Sequence, residues 1–253
     1  MKTAIHGLEI EYSCAGNGPS LLILHGWARD SADWQGIANS LADSFRVWTI
    51  DLPGFGNSQN PPESWGLEEY AMLVDAFIKS QNISSVTFVA HSFGGRIALL
   101  IASQGPSYLQ KLVLVAAAGI ASKPTPAQRV IQVGMQAGKI CLSVLPAGFR
   151  RKIEALFYDA LRAKQVEYAM IPEMMSVFKR VVSKDLGPFL ENIHTPTLLV
   201  WGENDDTVPL AHAKKMNEKI HGSALKIIPG AGHFPFIDKE TEFVTILRTF
   251  LHA

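Results

Sequence analysis

Apolar positions along the chain follow two rhythms. Leu8 to Ser13 alternates apolar and polar residues with a period of two, as a half-exposed edge strand should. Ser20 to Leu24, Phe45 to Ile50, Val86 to Val89, Lys111 to Val115, Pro196 to Trp201 and Lys226 to Pro229 are short, mostly apolar runs, the pattern of strands buried on both faces. Between them the spacing changes to the helical period. Asp33 to Ala42, Arg96 to Gln104 and Glu240 to Leu251 predict helices, and Leu67 to Lys79 places Leu67, Ala71, Val74, Phe77 and Ile78 on one face. Gly16-Asn17-Gly18-Pro19 and Gly105-Pro106 supply the breaks. Strands that alternate with helices predict an α/β class: a mostly parallel sheet of about eight strands with helices on both faces.

From about Ala121 to Gly187 the alternation stops. Helical patterns follow one another over roughly 126–143, 148–163 and 165–182, punctuated by Pro146-Ala147-Gly148 and Pro172. With 253 residues there is enough chain for one large core and little for two. The expected organisation is therefore a core of residues 1–120 and 188–253 interrupted by a helical cap over 121–187.

Charge is balanced, with 23 Lys and Arg against 23 Asp and Glu and no block of like sign, so nucleic acid is not an expected partner. The balance is uneven along the chain, however: residues 121–187 hold 11 Lys and Arg against 5 Asp and Glu. That excess is either a solvated outer face or a docking surface for a substrate carried on an acidic protein, such as an acyl carrier. The same segment contains four of the seven methionines, whose adaptable side chains suit an apolar pocket wall. No apolar run approaches the ~18 residues that span a bilayer, and the N-terminus lacks the apolar stretch of a secretion signal. No membrane partner and a cytoplasmic location are expected. Cys14 and Cys141 are expected to be buried free thiols. No His-x-x-x-His or Cys/His cluster suggests a metal, and no cofactor is expected.

The chemistry concentrates where strands end. Val86 to Val89 runs into Ala90-His91-Ser92-Phe93-Gly94-Gly95 and then a helix. A sharp strand-to-helix turn strains the residue at its apex, Ser92, and needs small neighbours two positions away, here Ala90 and Gly94. The N–H of Phe93 opens that helix and has no intrahelical acceptor. The apolar run Ser20 to Leu24 ends in His25-Gly26-Trp27, and Phe45 to Ile50 ends in Asp51-Leu52-Pro53-Gly54-Phe55-Gly56-Asn57-Ser58. Gly54-x-Gly56 is not a dinucleotide fingerprint, because Gln59 stands at the third glycine position. Lys111 to Val115 is followed by Ala118-Gly119-Ile120-Ala121, which offers no carboxylate. Past Trp201 three acids compete, Glu203, Asp205 and Asp206, each able simply to cap the helix near Pro209. Finally, Gly230-Ala231-Gly232-His233-Phe234-Pro235 puts a histidine in a glycine-bracketed loop after the last strand.

Together these four motifs resemble the α/β-hydrolase superfamily, with Ala90 in place of the first glycine of the nucleophile elbow. The resemblance covers the whole chain, although the cap matches only in position and helicity. It implies a capped serine hydrolase with Ser92 as nucleophile, His233 as base and Asp205, selected from the three acids by the Gly-x-x-Asp-x-x-x-Pro pattern, as the triad acid. It also implies an oxyanion hole made by the backbone N–H groups of Trp27 and Phe93, and gives the Asp51 to Ser58 string a structural role. Trp27, Met135, Met174 and Phe234 are the candidate substrate-binding residues. The implied reaction is hydrolysis of a small-molecule carboxylic ester with a small or medium acyl group. The same triad would serve a C–C bond hydrolase or a lyase, to which Ser92-Phe-Gly-Gly-Arg96 is loosely similar, or a ligand receptor built on the fold. Ser92 argues against a dehalogenase or epoxide hydrolase, which would need Asp there.

Overall fold

The computed structural model describes residues 1–120 and 171–253. By internal contacts the chain divides into one unit of Met1–Ile120 with Glu173–Ala253 and a second of Ala121–Pro172. The helical patterns at 126–143 and 148–163, Met135 and Cys141 lie outside the described residues. Residues 173–187, placed by the sequence within the insertion, cluster in the structure with the first unit.

Eight strands form one sheet: β1 (Lys2–Ile5), β2 (Leu8–Ala15), β3 (Ser20–Leu24), β4 (Arg46–Ile50), β5 (Val86–His91), β6 (Leu109–Val115), β7 (Thr197–Gly202) and β8 (Ala224–Ile228). Their order is β1-β2-β4-β3-β5-β6-β7-β8. β1 and β2 form an antiparallel hairpin, β2 pairs antiparallel with β4, and every later pairing is parallel. β3 and β5 to β7 therefore end on one rim, where an α/β sheet places its ligands.

The helices of the described part are α1 (Gln35–Leu41), α2 (Leu67–Ser80), α3 (Ser92–Ala102), α4 (Met175–Ser183), α5 (Leu210–Lys219), the single turn α6 (Pro235–Asp238) and α7 (Glu240–His252). Strand side chains alternate between faces. Leu21, Ile23, Val47, Val89, Val113, Val115, Leu198 and Val200 meet Ile37 and Leu41 of α1 and Phe243, Leu247 and Leu251 of α7 in one core. Trp34 stacks on Phe236 within it, with ring centroids 3.9 Å apart. α2 and α3 pack on each other, and α3 lies across β5 and β6. Every residue of α3 is buried, Ser92 and Arg96 included, so this helix has no solvent-facing side. Each such fully buried Leu, Ile or Phe contributes roughly 1.5–3 kcal/mol.

Candidate active site

Ser92 occupies the junction of β5 and α3 with φ of +48°, a left-handed conformation that costs a non-glycine residue about 1–3 kcal/mol. Its surroundings enforce the strain. A Cβ on Gly94 would sit 2.4 Å from the Leu24 carbonyl oxygen, and one on Gly95 would sit 2.4 Å from Ala117 Cβ. Only glycine lets α3 approach the ends of β3 and β6 this closely. The turn is also held by the main chain: Gly94 N–H donates to His25 O at 3.0 Å, and Ala118 N–H donates to Ser92 O at 3.1 Å. Ala90, in place of a glycine, is fully buried on β5.

The loop after β3 lies against this elbow. A Cβ on Gly26 would come within 3.5 Å of Ser92 Cβ. The N–H groups of Trp27 and Phe93 donate to no carbonyl in the turns and loops of the described residues. The Trp27 side chain is buried in an aromatic cluster, edge-on to Phe55, Phe93 and Phe178 at 4.9, 5.2 and 5.0 Å. Its indole N–H meets no acceptor among the described residues. Tyr70 closes the cluster against Phe93 and donates its hydroxyl to Pro53 O at 2.8 Å, while burial pushes its pKa well above the ordinary tyrosine value.

The strand-end acid and the late histidine meet. His233 Nδ1 lies 2.9 and 3.1 Å from the two carboxylate oxygens of Asp205. A carboxylate accepts, so Nδ1 carries the proton of this contact. Both side chains are buried, His233 at 5% and Asp205 at 7% exposure. Asp205 is itself oriented by the N–H groups of Thr207 and Val208, which donate to Oδ1 at 2.9 and 2.8 Å. The competing acids go elsewhere. Glu203 accepts from Gly230 N–H at 3.0 Å, bracing the histidine loop, and Asp206 among the described residues meets only the Thr207 hydroxyl, at 3.4 Å. Gly202 allows the meeting, because a Cβ there would fall 2.1 Å from Gly232 O.

Two further histidines belong to this neighbourhood, and sequence reasoning gave neither a role. His25 Nε2 accepts from Leu52 N–H at 2.8 Å, while its Nδ1–H donates to Gly26 O at 2.7 Å. It ties the Trp27 loop to the Asp51 loop, and burial holds its pKa below the ordinary imidazole value against the pull of the Gly26 carbonyl and Asp51. His91 Nε2–H donates to His233 O at 2.9 Å. Burial foremost, then the charge that His233 can carry, keeps its pKa well below the ordinary value. Arg96, one helical turn after Ser92, is also buried. It donates to the carbonyls of Val181 and Lys184 and so caps α4, which carries Phe178 to Trp27. Burial lowers its pKa to about 10. None of these three ties has a local sequence signal, since each partner lies on a different loop or helix.

Of the proposed substrate-binding residues, Trp27 and Phe234 are beside the elbow and the histidine. Phe234 is half-buried, with its ring 5.1 Å from His91 and 5.2 Å from His233 and the Arg29 guanidinium over it at 5.3 Å. Met174 is buried with its thioether against Gly54 of the Asp51 loop. Among the described residues no group of three or more His, Cys, Asp or Glu could hold a metal ion, and no helix is long and apolar enough to cross a membrane.

Residues 21–246 match the alpha/beta hydrolase family, and the chain belongs to it. A pimeloyl-(acyl-carrier protein) methyl ester esterase of Aeromonas hydrophila is 30% identical over 93% of this chain and 96% of its own. The crystal structure of the enol-lactonase from Burkholderia xenovorans LB400 covers both chains fully with a TM-score of 0.78 at 20% identity. The meta-cleavage product hydrolase from Pseudomonas fluorescens IP01 covers 100% of this chain and 97% of its own with a TM-score of 0.75, also at 20% identity. At those identities the likeness to the two structures is one of fold.

Proposed function

We propose that this hydrolase cleaves carboxylic esters of small or medium acyl groups through Ser92, His233 and Asp205. The observation that carries the reading is the buried Asp205–His233 pair, in a chain whose strained Ser92 lies next to a residue bonded to the His233 main chain. Ser92 Oγ attacks the ester carbonyl carbon while His233 Nε2 takes its proton. Asp205 fixes the tautomer and stabilises the imidazolium. The oxygen of the tetrahedral intermediate is held by Trp27 and Phe93 N–H groups, each worth on the order of 10²–10³ in rate. His233 then protonates the leaving alcohol, and a water activated by the same imidazole clears the acyl-enzyme.

The acyl group would lie over Trp27 and Phe234, with Met174 as a further wall candidate. A substrate presented on an acidic carrier protein is supported by the basic excess of residues 121–187 and by the activity named for the Aeromonas relative. The test is turnover of p-nitrophenyl esters of rising acyl length by wild type and Ser92→Ala. Sustained hydrolysis by wild type, lowered by several orders of magnitude in Ser92→Ala, is expected. Equal activity in the two would refute the nucleophile. No turnover, or one burst and no more, would redirect the assignment to C–C cleavage, lyase chemistry or ligand reception on the same triad.

A further inference from the structure

His91 immediately precedes Ser92, yet its side chain points away from solvent, 1% exposed, into the gap between three loops. On one side Nε2–H donates to the main-chain oxygen of His233, across 142 residues of sequence. On another, Nδ1 faces the loop after β3 so closely that a Cβ on Gly26 would stand 2.7 Å from it. The ring packs edge-on against Phe236 at 5.1 Å and lies 4.8 Å from the His233 ring. One side chain thus touches the histidine loop and the loop of Trp27, and its own backbone carries the nucleophile.

We propose that His91 is a positioning residue that sets the distance between Ser92 and the His233 imidazole by holding the His233 main chain. This rests on the ester-hydrolase reading above. The carbonyl of His233 can only accept, so the His91 proton must be on Nε2 and Nδ1 is left as a bare lone pair, with no donor among the described residues. That tautomer also suits the site electrostatically. Protonating Nδ1 would place a second cation beside His233 and oppose the imidazolium that ester attack creates. The groups acting on His91 are His233, His25 and Arg29, all able to carry positive charge, and together with burial they disfavour that proton. Losing the hydrogen bond removes this buried tie on the main chain of His233 and frees the loop to shift. A displacement near 1 Å of a reacting group is enough for a loss of about 100-fold.

The experiment compares His91→Gln, whose amide nitrogen can reach where Nε2 stands, with His91→Phe and His91→Leu, which cannot donate. kcat and KM are measured on a p-nitrophenyl ester, with Ser92→Ala alongside and thermal midpoints recorded for every variant. The expected result is a kcat loss of roughly 10–100-fold in His91→Phe and His91→Leu with KM within about threefold, and recovery of most of the loss in His91→Gln. His91→Phe keeps a ring in the aromatic packing, so it stands in if His91→Leu fails to fold. Wild-type kcat in the folded non-donating variants, or an equal loss in His91→Gln and His91→Phe, would overturn the inference. If Ser92→Ala retains turnover, the ester-hydrolase reading itself falls, whatever the His91 variants do.

Discussion

Two aspartate–histidine neighbourhoods stand at strand ends in this molecule, and they are wired to opposite effect. At the end of β4, Asp51 accepts from Ser31 N–H through Oδ1 and from Asn57 N–H through Oδ2, each at 2.9 Å. Its partner in space, His25, has both ring nitrogens engaged by the main chain. Nothing is left over, and the result is a brace. At the end of β7, Asp205 satisfies two N–H groups through Oδ1 alone and turns its carboxylate to His233 Nδ1. The imidazole is therefore oriented by a side chain rather than by the main chain. The same two residue types, both buried, make a clamp when the backbone saturates them and a side-chain pair, the one proposed to be reactive, when it does not.

The sharpest way to test that contrast is to neutralise each acid. Asp205→Asn should lower kcat by about 10³–10⁴-fold because the amide no longer selects the Nδ1–H tautomer, while Asp51→Asn should leave the kcat of the folded protein unchanged; steady-state ester hydrolysis checks both. Next in size is Gly202→Ala, whose methyl group would collide with the Gly232 carbonyl. It should cost on the order of 3 kcal/mol in urea unfolding and lower kcat as well, since it pushes the His233 loop from β7. Asp51→Asn should cost about 1 kcal/mol by the same measurement, because one N–H of a part-buried turn loses its acceptor.

A smaller effect follows from the buried histidines. His25 and His91 have folded-state pKa values below that of the unfolded chain, so in acid the unfolded state binds protons that the folded state refuses. Their contribution is present above the unfolded value of about 6.5 and is lost as pH falls below it, at up to roughly 1.4 kcal/mol per pH unit for each. Urea midpoints at pH 7.5 and 5.5 should show this loss, and a flat profile would break the account. Smallest of all, Asp206→Asn should alter neither kcat nor stability by more than about 0.5 kcal/mol, as its carboxylate meets among the described residues only a hydroxyl at the surface.

The strands were legible where burial on both faces leaves no polar position. Ser20–Leu24 stands in the structure as its apolar run predicts. β1 was missed because Lys2-Thr3-Ala4-Ile5 is short and pairs only with β2, so little of it needs to be apolar. β8 begins two residues before the predicted Lys226, being an edge strand whose side chains are largely exposed. The site was legible wherever turn chemistry dictates the residue, as with Ser92 between Ala90 and Gly94, or Gly230 and Gly232 around His233. It was not legible in His25, His91 and Arg96, each of which bonds a main-chain atom of a distant segment. Such contacts leave no spacing in the sequence to find. Glu203 teaches the same lesson from the other side: it looked like a rival to Asp205 until the fold gave it Gly230 to hold.

The sheet order has a consequence for synthesis. His233, the proposed base, sits beyond β8 at the far edge of the sheet, and 142 positions separate it from His91. At ordinary ribosomal speeds of 5–20 residues per second, the elbow emerges roughly 7–30 s before the imidazole that would activate its serine. On the proposed triad a nascent chain would carry an inert hydroxyl, and Ser92 would be armed only when the closing strand and its loop dock. Ester hydrolysis would then report on completed folding, and fragments that stop short of the last strand would be chemically silent.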